Sequence, residues 1–95
     1  MTMTIQDNNS ISYVVKDGRQ VMGYAINVLQ ILGKHKKVIL KGRGETITSA
    51  VTVANIVTER LLKGNSKVER IVLNSDIPKT MGRMISTIQI TLTKS

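Results

Sequence analysis

The segment KGRGETITSA (residues 41–50) combines cationic side chains with glycines at a spacing that suits phosphate chemistry. Lys41 and Arg43 alternate with Gly42 and Gly44, after a short apolar run and before a predicted helix. Glycines let a backbone approach a phosphate, a guanidinium can bond two phosphate oxygens, and the amides of a helix N-terminus favour an anion. The segment is therefore a candidate phosphate-contacting turn. A β–α turn whose glycines only satisfy backbone angles is the alternative.

The glycine spacing does not match the patterns of nucleotide enzymes. A P-loop needs a lysine and a hydroxyl residue after its second glycine, and Glu45 stands there instead. A dinucleotide-binding turn needs a third glycine where this chain has Ile47. The chain has no cysteine, 6 scattered carboxylates and one histidine, His35, in the solvated run KHKK. The sequence therefore predicts no enzyme, no metal site and no cofactor.

Composition favours a polyanionic partner. The 95 residues suffice for one domain, and they carry a formal net charge of +8. There is no long apolar run and no signal-peptide pattern, so we expect a cytoplasmic protein without a membrane segment. The chain has 2 Tyr and no Phe or Trp. The aromatic platform on which unpaired bases usually stack is therefore missing, whereas contact with a sugar-phosphate backbone stays open.

Hydrophobic periodicity predicts one domain over residues 10–95, preceded by a flexible arm at residues 1–9. Branched or alternating residues predict the strands, and apolar residues at i, i+3, i+4 and i+7 predict the helices. Gly33 is expected to end the first helix, and Thr46 to cap the second. The elements are strand 10–15, helix 19–32, strand 37–42, helix 46–61, strand 67–75, a mobile hairpin loop 77–84 and strand 86–94. This βαβαββ order predicts an α/β two-layer sandwich, with two helices on a four-stranded mixed sheet.

The second helix is predicted to have two apolar surfaces. The first is the core face: Ile47, Ala50, Val51, Ala54, Val57 and Leu61. Val53 and Ile56 lie outside that face, which predicts a further contact. A small domain gains stability by burying such side chains against a second copy, so we expect a homodimer.

Three segments of the chain resemble the Alba proteins, the small basic archaeal chromatin proteins. Residues 41–62, KGRGETITSAVTVANIVTERLL, resemble the family segment K-A-R-G-R-x-I-x-K-A-V and the helix that follows it. Residues 18–32, GRQVMGYAINVLQIL, resemble the first helix, which opens G-K-K-P-V-M-N-Y. STIQITLTK resembles the last strand, S-T-I-E-I-x-I. The likeness extends over roughly residues 10–94, in the same element order.

The resemblance implies a fold similar to the C-terminal domain of a bacterial translation initiation factor. It also implies a homodimer that binds double-stranded DNA with little sequence preference, and often RNA. In the family, the loop before the first helix forms a central platform, and the long hairpins extend as arms into the minor groove. Dimers also associate side by side through their helices.

The family's site residues transfer to this chain in part. Arg43 matches the turn arginine, and Tyr24 matches the tyrosine of V-M-N-Y. The family lysine pair falls on Gly18 and Arg19, with Lys16 close by, so acetylation of that lysine does not carry over. Glu45 and Ser49 replace two further cations, and the shorter hairpin keeps Lys79 and Arg83 at its tip. At the family's aromatic dimer–dimer position the chain has Leu61.

These observations predict a chromosome-associated protein that coats or compacts duplex DNA as a homodimer. The predicted nucleic-acid-binding residues are Lys16, Arg19, Tyr24, Lys41, Arg43, Lys79 and Arg83. The Tyr24 hydroxyl is expected either to contact phosphate or to pack in the dimer surface. The predicted contacts between copies are Val53, Ile56 and Leu61. Two alternatives stay open: a protein acting on structured RNA or in a ribonucleoprotein, and a basic structural subunit that docks an acidic protein.

Overall fold

The computed structural model describes residues 3–6, 10–76 and 84–95, with the side chains of residues 11–75 and 84–95. The strands are β1 (Met3–Gln6), β2 (Ser10–Val14), β3 (Lys37–Arg43), β4 (Ser66–Asp76) and β5 (Ile85–Lys94). The helices are α1 (Val21–His35) and α2 (Ile47–Ile56). A 3-10 turn (Gly44–Thr46) leads into α2, and a π-helical segment (Val57–Leu61) extends it.

The strands form one mixed sheet in the order β1-β2-β3-β5-β4. β2 and β3 run parallel, and the other neighbours are antiparallel. The parallel pair requires a crossover, which α1 provides. From β2 onwards the elements follow the predicted βαβαββ order, which confirms the fold. β1 adds a fifth strand to the predicted four-stranded sheet. The expectation of a flexible arm at residues 1–9 is wrong for Met3–Gln6, because this segment pairs in register with β2.

The core lies between one face of the sheet and both helices. Alternation along the central strands buries Val38 and Leu40 of β3, and Ile88, Ile90 and Leu92 of β5. The helices add Ala25, Val28, Ile31 and Leu32 from α1, and Ala50, Val53, Ala54 and Val57 from α2 and its extension. The predicted alternation of residues 86–94 is therefore confirmed.

Two helix predictions need correction. Val53 is 0% exposed and belongs to the core, so it cannot contact another copy. α2 packs on β3, β5 and α1, and its buried arc is therefore wider than one stripe. Ile56 is partly buried against the core, whereas Leu61 stays exposed. Gly33 does not end α1, which continues to His35; Lys36 takes the left-handed position (φ 63°) and donates its N–H to Leu32 O at 3.0 Å.

A bulge in β4 determines which face of the sheet each side chain of that strand occupies. Val68 pairs with Leu92 and Arg70 pairs with Thr91, which leaves Glu69 as the extra residue. Directly paired residues share a face of the sheet. The bulge therefore places Val68, Ile71 and Leu73 on the helix side, next to the buried residues of β5. The helices do not extend over β4, so these three side chains are 39%, 57% and 67% exposed.

Gly42 sets the distance between β3 and α2. A Cβ atom there would lie 2.8 Å from Thr46 O, 3.0 Å from Ala50 Cβ and 3.2 Å from Ile47 Cα. Two of these neighbours are backbone atoms, which cannot move without displacing the helix. We predict that Gly42→Ala lowers the free energy of unfolding by about 2 kcal/mol, measured by urea denaturation at fixed protein concentration.

Gly33→Ala is the matched control. This position is exposed and lies inside α1. Apart from the neighbouring backbone of the helix itself, no atom of the described residues lies within 4 Å of a Cβ placed there. Because alanine favours a helix interior over glycine, this variant should gain about 0.5–1 kcal/mol. A Gly42→Ala protein as stable as the original would contradict the close packing of α2 on β3.

Candidate nucleic-acid interface

The predicted basic residues meet at the edge of the sheet where the parallel strands β2 and β3 end. The chain leaves β2 at Val14 and β3 at Arg43. The Val15 N–H donates to Lys41 O at 2.9 Å, which holds the start of the next loop beside β3. Lys16 follows directly and is exposed. β4 ends and β5 begins at the same edge, since Thr87 pairs with both Arg43 and Asn74.

The turn after β3 presents Arg43 to solvent. Gly44 has φ +55°, a left-handed conformation that glycine adopts without strain. The Thr46 hydroxyl accepts the Arg43 N–H at 2.8 Å and donates to the Arg43 carbonyl oxygen at 2.9 Å. Thr46 makes no side-chain cap to α2, so its predicted capping role is replaced by this bracing of the turn. The backbone N–H and C=O of Arg43 are therefore both held by Thr46, while the Arg43 side chain is exposed.

The loop at residues 16–20 packs against the beginning of α2. A Cβ atom on Gly18 would lie 2.9 Å from Ser49 Oγ, and Ser49 is buried. Asp17 Oδ1 accepts the Arg19 N–H at 2.9 Å, which makes the loop compact. Arg19 is exposed, and its loop adjoins the helix that follows the Arg43 turn. Sequence reasoning missed this Gly18–Ser49 contact, because no periodic pattern links two residues so far apart.

Tyr24 lies on the first turn of α1, with its ring partly buried. Its ring packs edge-on against the ring of Tyr13, with centroids 5.9 Å apart and planes at 80°. Tyr13 is fully buried, and its hydroxyl oxygen accepts a hydrogen bond from Asn27 Nδ2 at 3.1 Å. Burial raises the pKa of the Tyr13 hydroxyl above its ordinary value, although the hydrogen bond from Asn27 opposes this. Tyr24 therefore contributes to packing, and it also lines a surface concavity of about 250 Å³ with Gln20, Gly23 and Asn27.

The structure thus brings four predicted residues to one edge: Lys16, Arg19, Lys41 and Arg43. Lys79 and Arg83 lie outside the described residues, within the connection between β4 and β5. The described residues contain no cluster of His, Asp and Glu that could hold a metal ion. Among them, no helix is long and apolar enough to cross a membrane.

The fold and this edge define a small, basic, two-layer α/β domain. The family model for Alba matches residues 11–75. This chain belongs to the Alba family. Two relatives, from Pyrobaculum islandicum and Pyrobaculum aerophilum, are each named DNA/RNA-binding protein Alba. Each is 38% identical to this chain over 60 residues, which cover 60% of this chain and 65% of the relative.

Solved structures of the family share the architecture. Alba from Thermoplasma volcanium superimposes with a TM-score of 0.74 at 30% sequence identity, covering 87% of this chain and 99% of that one. ALBA1 from Trypanosoma brucei gives a TM-score of 0.67 at 19% identity, covering 88% and 69%. The second likeness shows the fold alone.

Proposed function

We propose that this protein binds the sugar-phosphate backbone of nucleic acid and coats or compacts duplex DNA as a homodimer associated with the chromosome. The observation that carries the proposal is the gathering of Lys16, Arg19, Lys41 and Arg43 at one edge of the sheet. Asp17 and Glu45 lie in the same two turns, so cations outnumber carboxylates there by two to one. The names of the Pyrobaculum relatives support the binding of nucleic acid.

The chemistry of this edge suits phosphate more than bases. Lysine and arginine side chains neutralise phosphates and release counterions, without reading sequence. Neither α1 nor α2 projects from the edge as a helix that could enter a major groove, because both pack along the sheet. Binding is therefore largely independent of sequence. The relatives' names include RNA as well as DNA, so structured RNA is a second candidate ligand.

The exposed apolar side of β4 supports the homodimer. Val68, Ile71 and Leu73 continue the buried face of β5 but extend beyond the helices. Leu61, at the end of the helix that precedes β4, is also exposed. A second copy related by a twofold axis would cover these side chains and would double the positive charge of the particle. The proposed contact therefore centres on β4. It keeps Leu61 from the contacts predicted from the sequence, but not the buried Val53.

The first prediction concerns Arg43. If its guanidinium contacts phosphate, Arg43→Ala should make log affinity for a duplex less dependent on log salt, by roughly 0.9 per contact or about 1.8 per dimer. Because the side chain is exposed, the free energy of unfolding should change by no more than about 0.5 kcal/mol. Titration of a fluorescent duplex at several salt concentrations measures the slope.

Lys63→Ala removes the same charge from an exposed turn at the opposite end of the sheet. Its salt slope should stay close to that of the unchanged protein. If both variants lowered the slope equally, Arg43 would contribute only net charge and would not belong to the site. If neither changed it, the Arg43 turn would have a purely structural role.

The second prediction concerns the homodimer. Sedimentation at micromolar concentration should give about twice the chain mass of 10.5 kDa. Leu73→Glu should raise the dimer dissociation constant by more than about tenfold, because it places a charge in an apolar contact. Met22→Glu, which alters an exposed apolar residue of α1, should leave the dimer intact. An interface on β4 would be contradicted if the wild-type protein were monomeric, or if Leu73→Glu and Met22→Glu had equal effects on the dimer.

A further inference from the structure

The backbone of Arg43 lacks the strand partner that the preceding residues of β3 have on one side. In the parallel pair of β2 and β3, the Val15 N–H donates to Lys41 O at 2.9 Å. Residues two apart in a strand direct their N–H and C=O groups to the same side, so those of Arg43 also point toward the β2 side. The pairing of β2 with β3 stops at Val14 and Lys41. Both backbone groups of Arg43 must therefore find a partner in a side chain or in water.

The Thr46 hydroxyl takes the place of the missing strand. Its oxygen accepts the Arg43 N–H at 2.8 Å, and its proton is donated to the Arg43 carbonyl oxygen at 2.9 Å. A hydroxyl both donates and accepts at a single atom, so one threonine satisfies both backbone groups. Arg43 accordingly keeps an extended backbone, with φ −142° and ψ 133°, although its neighbour on that side has ended.

The hydrogen bonds of Thr46 connect Arg43 to the rigid part of the fold. Thr46 is the last residue of the 3-10 turn, and α2 begins at the next residue, Ile47. The Ile47 N–H donates to the Gly44 carbonyl oxygen, which closes the turn a second time. α2 itself packs on β3, β5 and α1. The position of the Arg43 backbone is therefore determined by a packed helix and not by the loop alone.

Glu45 makes this bracing important for the charge of the turn. Its exposed carboxylate lies two residues from Arg43, with only a glycine between them. Among the side chains that the structure describes, these two form no ion pair. In a turn that was free to rearrange, the Arg43 guanidinium could approach this carboxylate, which would compete with phosphate for it. Ordering a long cationic side chain on binding also costs affinity. A fixed backbone at Arg43 reduces both losses.

We propose that Thr46 is a positioning residue for phosphate binding by Arg43. Its hydroxyl fixes the backbone from which the Arg43 side chain extends, so that the guanidinium is directed to phosphate and not to Glu45. Thr46 itself does not contact the nucleic acid. This assignment rests on the proposed function, and it adds to the basic residues an uncharged side chain that determines affinity through one of them.

The test is a double-mutant cycle of Thr46→Val and Arg43→Ala, in which a labelled duplex is titrated at one salt concentration. Valine has the shape of threonine without the hydroxyl, so it removes both hydrogen bonds and leaves the net charge unchanged. Thr46→Val should weaken duplex binding about fivefold, because the Arg43 side chain must then be ordered on binding. In the Arg43→Ala background the same change should alter affinity by less than about twofold, because no guanidinium remains to be positioned.

Two further variants control for the loss of a hydroxyl. Thr46→Ser keeps the hydroxyl and should bind the duplex as the wild-type protein does. Thr52→Val removes a comparable hydrogen bond further along α2, where the Thr52 hydroxyl donates to Thr48 O at 2.9 Å. Its affinity should stay within about twofold of the wild-type value.

Amide hydrogen exchange of the free protein measures the bracing directly. The Arg43 N–H should exchange faster in Thr46→Val, because its acceptor is gone, and at the wild-type rate in Thr46→Ser. Circular dichroism and sedimentation check that each variant keeps its fold and oligomeric state.

The inference is overturned if Thr46→Val binds the duplex as tightly as the wild-type protein, or if Thr46→Ser binds as weakly as Thr46→Val. It is also overturned if Thr46→Val weakens binding equally with and without the Arg43 side chain, because the hydroxyl would then only support the fold. Each of these results, in a protein whose duplex binding depends on Arg43, refutes the role of Thr46 alone. Absence of duplex binding by the wild-type protein, or unchanged affinity in Arg43→Ala, would instead refute the proposed function at Arg43 and the positioning role with it.

Discussion

Four residues of β2 pair in parallel with four residues of β3, and this pairing fixes where the basic side chains meet. Parallel neighbours end at the same edge of a sheet, so the loop that starts at Lys16 and the turn at Arg43 become adjacent. An antiparallel pair would have sent them to opposite ends. The crossover helix α1 makes the parallel pair possible, and Gly18 and Gly42 allow α2 to approach both segments closely. The proposed phosphate-binding edge thus depends on backbone pairing and on two small residues.

The same architecture leaves two parts of the sheet without helical cover. Two helices are enough for β2, β3 and β5, but not for β4 at the border. Three apolar side chains of β4 are therefore exposed on the helix side, and the Glu69 bulge is the reason they share that side. Opposite the helices, β3, β5 and β4 present polar and basic residues. A second copy suits the first surface and a polyanion suits the second, because one is apolar and the other is positively charged.

Much of this architecture can be predicted from the sequence. The alternation of residues 86–94 determines one buried and one polar face, and the helical spacing of Ala25, Val28 and Leu32 locates the buried side of α1. The turn KGRGE is recognisable because Gly44 must adopt a positive φ. Local patterns carry these features, since each depends on residues that are close in the chain.

Other features depend on contacts between distant segments, which a local pattern does not contain. Val53 is buried because α2 meets α1 as well as the sheet, so a single helical stripe underestimates its core face. The pairing of Met3–Gln6 with β2 depends on backbone hydrogen bonds at the border of the sheet, and four residues are too few for a side-chain pattern to predict it. Gly33 satisfies every sequence rule for a helix end, yet Lys36 takes the left-handed position three residues later. The Gly18–Ser49 contact likewise exists only once α2 has packed.

The most direct test of the central claim is a map of backbone amide chemical shifts as a short DNA duplex is added to isotope-labelled protein. The basic run 34–37 is an alternative binding surface within the same chain, and it lies at the opposite end of β3 from Arg43. We predict that the largest shifts occur at Lys16–Arg19 and Gly42–Thr46, with small changes at Lys34–Lys37. The largest shifts at Lys34–Lys37, with little change around Arg43, would contradict it.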